Sequence, residues 1–267
     1  MTVSIKHVSV DCESWGVDPG DDIRSIGAFH FDPMDPVLQK TEENTFYMAC
    51  DNPLMGSYSS EHYTQKDLDY IDGPNRKYDL KRNPKTVGWW HSQSDELQDA
   101  FLYPSDLKDT LVGFSDFLYS ISEDVRDDII HDIRIWSHGA AFDPPMVKAA
   151  YKACGLTYPL FYRSPRDTRT LFDDAGIKNH SSFLERHRMG PLHHALYDSF
   201  TQANAVQSAT FSLFVEGHSI SSVAVAALEK IADLNIIRDS LAQREIAQTA
   251  LEEISLMNKI IENRKRS

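Results

Sequence analysis

The chain has 267 residues, 41% of them hydrophobic and 10% aromatic, enough for one sizeable α/β domain with an appendage or for two small domains. With 40 acidic against 27 basic side chains, the net charge is −13, which excludes a protein that coats nucleic acid through a broad basic surface. A cleft that holds a nucleic-acid end through metal ions stays open, because bound divalent cations invert the local field.

The elements begin with strands. Residues 3–10 alternate as a buried strand, 22–33 read as a second ending at Pro33, and 44–50 as a third, antiparallel through short connections. Residues 51–84 are polar and rich in Gly and Pro and read as a long loop with short helices, a length that is usually functional or mobile. Helical patterns follow over PKTVGWWHSQS and over 106–121, where Leu107, Leu111, Phe114, Phe117 and Leu118 share a face. Ile130 to Trp136 is the next strand. DPPMVKAAYKACG is a helix opened by Pro144 or Pro145 and closed by Gly155, RDTRTLFDDAG another, and a long helix begins near Pro191. Three strands followed by alternating helix and strand predict a mixed α/β sheet.

Residues 217–267 read as a C-terminal helical extension. From 219 to 263 there is no aromatic residue, Pro or Gly, and apolar residues such as Leu228, Ile231, Leu234, Leu241, Leu251 and Ile261 recur at amphipathic spacing. The heptad breaks around Arg244, so the segment either packs back on its own domain or meets a second copy or a partner helix. No window approaches the apolar run of about 18 residues that a transmembrane helix needs. The start, MTVSIKHVSVD, carries no signal-peptide pattern. Cys12, Cys50 and Cys154 are scattered and odd in number, without zinc spacing, and suit reduced thiols in a cytoplasmic protein.

The chemistry starts at VSVDCESWG. Period-two geometry sends Asp11 and Glu13 to the same face, about 7 Å apart at the end of the strand. Burying both without a counter-charge is costly, and a bound cation resolves the conflict; a solvated strand end is the plain alternative. Asp143 follows the strand end IWSHGAAFD at the start of a helix, where an acid is also a common structural feature. HHALYDSF then brings His193 and Asp198. Together these segments supply four carboxylates and an imidazole, each at a strand end or helix start.

In order and local spacing they resemble the DEDDh 3′→5′ exonucleases. Asp11-Cys-Glu13-Ser14-Trp-Gly16 is similar to the first motif, His138-Gly-Ala-Ala-Phe142-Asp143 to the second, and His193-His-Ala195-Leu-Tyr-Asp198 to the third. The resemblance covers roughly residues 5–214. A nearer likeness is to the exonuclease A of T-even phages and to the mycobacterial ribonuclease-like branch, through the segments with Trp89 and Trp90 and from Trp136 to Asp143. Many members have Asn where this chain has Gly139, so a polar contact to substrate is either missing or supplied by His138.

The resemblance implies a ribonuclease-H-like fold and two Mg²⁺ or Mn²⁺ ions about 4 Å apart that stabilise the attacking and leaving oxygens of a phosphodiester. An all-carboxylate site suits such hard ions. By analogy Asp11 bridges both ions, Glu13 and Asp198 hold the first, and Asp143 acts mainly through the water shell of the second. His193 takes the proton from the attacking water; of the two adjacent histidines, only His193 leaves Ala195 and Asp198 at the family's offsets. Trp89 and Trp90 divide between core packing and a base-stacking wall, and Asp167 between a helix-terminal acid and a group behind the site. The implied function is a metal-dependent 3′→5′ exonuclease, residues 1–216, that releases nucleoside 5′-monophosphates from single-stranded DNA or RNA. The alternatives are a catalytically silent adaptor and a phosphodiesterase on short oligonucleotides. Homodimerisation through the C-terminal helices is the first expectation for assembly.

Overall fold

Strand β1 (Lys6–Ser14) is the axis on which the rest is hung, because its β-branched and small residues alternate cleanly between two covered faces. The structure, a computed structural model, describes residues 3–35, 38–50 and 77–217. β2 (Ile23–Phe31) runs antiparallel to β1 from His7↔Phe31 to Ser14↔Ile23, with a bulge between Glu13 and Ser14, and β3 (Thr45–Ala49) pairs antiparallel with β2. Helix α1 (Pro84–His91) opens on a proline behind Asn83, whose side chain accepts from the Lys85 amide. After the short α2 (Asp95–Gln98), Asp106 caps α3 (Leu107–Ile121) in the same way.

A hairpin, β4 (Val125–Arg126) and β5 (Ile129–Ile130), leads into β6 (Ile133–Ser137) and α4 (Asp143–Ala153). Then come β7 (Pro165–Asp167), α5 (Thr168–Asp174), α6 (His180–Arg186) and α7 (Ala195–Gly217). The main sheet has the order β3-β2-β1-β6-β7, and β6 and β7 run parallel to β1. Only β2 opposes the others, which is the ribonuclease-H-like arrangement.

One face of the sheet packs Val8, Val10 and Cys12 against Leu111, Phe114 and Leu118 of α3 and Met146 and Ala150 of α4. All five apolar residues predicted to share a face of α3 are buried. The other face packs Phe29 and Phe31 against Phe200, Ala203 and Val206 of α7, and α7 in turn holds α5 and α6 through Phe172, Phe183, Ala205 and Ala209.

Several boundaries differ from the sequence reading. β1 does not stop at its acids but runs four residues further than position 10, carried by the ladder to β2. The strand read from Ile130 begins at Ile133, because Ile129–Ile130 is spent in the hairpin. β7 was hidden in a stretch that reads as helix: it is three residues long, opens with Pro165, and owes its extended form to pairing with β6. The long helix begins at Ala195 rather than near Pro191. Cys12, Cys50 and Cys154 are free and buried. Among the described residues no helix is long and apolar enough to cross a membrane. The expectations for 51–76 and for the extension after Gly217 lie outside the described residues.

Candidate active site

β6 accompanies β1 only from Lys6 to Ser9. Past that point the side of β1 that faced β6 is open, and Asp143 fills the gap from the first turn of α4. Its Oδ1 accepts from the Cys12 amide at 3.1 Å and from Cys12 Sγ at 3.4 Å. A carboxylate thus replaces a missing strand partner, which ties the second acidic segment to the first. The turn that delivers Asp143 needs Gly139: its φ is +123°, a region L side chains rarely adopt, and a Cβ there would lie 3.3 Å from an Arg169 guanidinium nitrogen. The glycine at this position therefore has a backbone cause. His138, beside it, lines the cleft and shares a 2.8 Å hydrogen bond between Nδ1 and Thr168 Oγ1.

The third segment arrives through a close helix–strand approach. A Cβ on Gly27 of β2 would sit 2.2 Å from the Ala195 carbonyl carbon, so only glycine lets the start of α7 come down on the sheet. This brings Asp198, in the first turn, over the acids of β1. Just before the helix, His193 turns the chain with φ +60°, an uncommon conformation for a non-glycine residue. Ligand atoms of Glu13, His193 and Asp198 lie within 4.8 Å of one another. His194 goes elsewhere: its ring packs on Tyr47 at 4.5 Å and Tyr197 at 4.8 Å, and its carbonyl accepts from the Asp198 amide at 2.9 Å.

Asp11, Glu13, Asp143, His193 and Asp198, from three separate segments, line one cleft of about 280 Å³. The paired tryptophans divide their roles. Trp90 is 2% exposed, and its Nε1 donates to the Ser14 carbonyl at 2.8 Å. Trp89 is 40% exposed and stands edge-on to His193, ring centroids 4.8 Å apart.

Burial and mutual repulsion push the carboxyls upward. Glu13 rises from 4.5 to about 8, through burial first and then the charges of Asp198 and Asp143. Asp143 rises to about 6 by burial, against the hydrogen bonds from Cys12. Asp11 is held well above its ordinary range by burial and by Asp143, Glu13 and Asp198; burial also raises Asp198, against Arg188. Left alone, Asp11 and Glu13 resist full ionisation at neutral pH. Among the described residues the donor set fits a hard divalent cation: clustered carboxylates, no thiolate ligand, and a buried Gln202 Oε1 with no hydrogen-bond partner.

Three residues that the sequence reading did not place in the site shape it. Gln202 donates from Nε2 to Asp11 Oδ1 at 2.8 Å and fixes that carboxylate. It lies four residues after Asp198, one helical turn along, so its spacing was a usable signal. Asp167 caps α5 by accepting from the Arg169 amide at 2.8 Å, and its other oxygen accepts from the Ala140 amide at 3.0 Å. It is thus both a helix-terminal acid and the anchor of the turn before Asp143. Arg188 reaches into the cleft from a loop and carried no motif signal.

A ribonuclease-H-like sheet with clustered acids on its central strand and on two flanking helices is the framework of a DEDD-type nuclease. The chain belongs to the Rv2179c-like 3′-5′ exoribonuclease domain family, whose model matches residues 6–210. No curated protein matches it. Among solved structures it is similar to Pop2p of S. pombe in a Mg²⁺- and Mn²⁺-bound form, with 14% identity, 81% of this chain and 84% of that one covered, and a TM-score of 0.44. It is also similar to a product-bound exonuclease I, with 13% identity, 80% and 46% covered, and a TM-score of 0.47. A third is a zinc-bound E. coli ExoI–ssDNA complex, with 12% identity, 85% and 43% covered, and a TM-score of 0.38. The chain spans less than half the length of the two exonuclease I chains.

Proposed function

We propose that the cleft hydrolyses the 3′-terminal phosphodiester of single-stranded nucleic acid, RNA before DNA, and releases nucleoside 5′-monophosphates. The observation that carries this is the convergence of Asp11, Glu13, Asp143, Asp198 and His193 in one cleft, within a chain of a 3′-5′ exoribonuclease family. Asp11, Glu13, Asp143 and Asp198 would hold two Mg²⁺ or Mn²⁺ ions, which when bound polarise the phosphate and lower the pKa of a coordinated water. Gln202 keeps Asp11 in orientation, and His193 takes the proton of the attacking water. Trp89, exposed beside His193, is the wall on which the terminal base stacks.

At about 280 Å³ the cleft is at the small end of ligand pockets, which suits a single terminal nucleotide rather than an internal stretch of strand. An acidic protein can then act on a polyanion, because it grips few phosphates. The family's description as exoribonuclease favours RNA; the likeness of the tryptophan segments to phage exonuclease A keeps DNA as the second substrate. The presence of all five site residues counts against a silent adaptor. The reading further assigns the extension from residue 217 to homodimerisation, tested by light scattering with and without it. It places the enzyme in the cytoplasm, where the buried thiols stay reduced.

A time course on 5′-labelled and 3′-labelled RNA and DNA strands, with Mg²⁺ or Mn²⁺ against EDTA, tests the reading. The 5′ label should persist on a shortening ladder while the 3′ label leaves as mononucleotide. Internal cuts in a circular strand would overturn it, and an intact ten-nucleotide strand beside a cleaved dinucleotide would shift the function to short oligonucleotides.

A further inference from the structure

A phosphodiester entering this cleft meets an acidic lining and a single guanidinium. Among the described residues, Arg188 is the sole lysine or arginine that lines it. Its Nε donates to Glu185 Oε2 at 2.7 Å, while Nη1 makes only a long contact, 3.3 Å, with Asp198 Oδ1. A dedicated counter-ion for Asp198 would sit closer, about 2.7–2.9 Å, and commonly in a two-pronged pair. Glu185, 64% exposed, orients the guanidinium without neutralising the cleft.

The backbone on both sides of Arg188 is stapled to α7. Asn204 Nδ2 donates to the His187 carbonyl at 3.2 Å, and the Met189 amide donates to Thr201 Oγ1 at 3.0 Å. Asp198 and Gln202 stand on that same helix. Arg188 is therefore carried on a frame that holds its position relative to the carboxylates, as a preorganised donor requires.

We infer that Arg188 is a catalytic residue of the proposed hydrolysis, its guanidinium binding a non-bridging oxygen of the scissile phosphate once Asp198 is engaged by a divalent cation. In that reaction water oxygen bonds to phosphorus and its proton passes to His193. The bond from phosphorus to the 3′ oxygen of the preceding nucleotide breaks, and that oxygen gains a proton from solvent. Arg188 stabilises the charge that builds on the phosphoryl oxygens. The inference rests on the reading of the cleft as a phosphodiester hydrolase.

The test compares wild type, Arg188→Ala, Arg188→Gln and Arg188→Lys on a short RNA strand at saturating Mn²⁺. Mn²⁺ affinity and the affinity for a nucleoside 5′-monophosphate are measured alongside by calorimetry. Loss of one preorganised donor is expected to lower kcat by about 10²–10³-fold. Mn²⁺ affinity should hold or rise, nucleotide affinity should fall, and lysine should restore only part of the rate, since it lacks the planar fork. A kcat within threefold of wild type in Arg188→Ala or Arg188→Gln, or a deficit that extra Mn²⁺ removes, would overturn the inference and leave Arg188 as a partner of Asp198. If the wild type releases nothing from a 3′ end with either metal, the hydrolase reading itself fails, so the two failures are distinguishable.

Discussion

The two faces of β1 carry opposite chemistry. On one, Val8, Val10 and Cys12 are buried in a continuous apolar core with α3 and α4. On the other, a step away along the same backbone, Asp11 and Glu13 stand in the cleft under α7. The apolar face supplies the stability that lets the acidic face remain strained: carboxyls pushed up by burial and by each other, beside a histidine in a left-handed conformation. A strand that alternates between faces can thus anchor a site and carry it with the same few residues.

Substitutions on the acidic face should cost activity and spare the fold, the reverse of those on the apolar face. If the proposed reading holds, Asp11→Asn is expected to lower hydrolysis by about 10³-fold or more, since it removes a ligand from the proposed cation site. In EDTA the same variant should melt higher than wild type, because an amide there carries neither the cost of ionising in a buried, acid-rich place nor that of staying protonated above its ordinary pKa. Activity within tenfold of wild type would remove Asp11 from the cation site.

His193→Ala should follow, at about 10²–10⁴-fold in rate with Mn²⁺ binding largely kept, the range of a lost general base. His194→Ala, whose ring packs on Tyr47 and Tyr197, should cost far less; the reverse ranking in steady-state assays would exchange the two histidines. On the apolar face, Phe114→Ala should cost about 3–5 kcal/mol of stability by opening a cavity, read by denaturant unfolding. The fraction still folded should hydrolyse RNA at close to the normal rate; a matching fall in its kcat would mean that the two faces are not separable.

The smallest effect sharpens the contrast through pH. Carboxyls raised in the folded state bind protons that the unfolded chain has already lost, so they stabilise at low pH and that stability drains away as pH rises. Glu13 moves from 4.5 to about 8 and Asp143 from 3.8 to about 6. Metal-free protein should therefore lose melting temperature between about pH 4 and pH 8, and saturating Mn²⁺ should flatten the slope at neutral pH. A metal-free melting temperature that climbs through this window in calorimetry would contradict the assigned repulsion.

Local pattern was enough to determine a good deal of this protein. Alternation along residues 8–13 placed Asp11 and Glu13 together, and helical spacing identified the buried face of α3 from Leu107 to Leu118. Motif offsets pointed to His193 rather than His194, and His193 is the one that lines the cleft. All of these depend on neighbours within a turn or two of the chain, and such geometry is written into spacing. Other features needed the assembled fold. β7 exists because β6 pairs with it, β1 outruns β6 so that Asp143 can take the place of a strand, and Gly27 matters only because α7 descends on it. Arg188 enters the cleft because Asn204 and Thr201 hold its loop from a helix that begins seven residues later. These contacts join segments far apart along the chain or loops without periodicity, and no local spacing encodes where two such surfaces will meet.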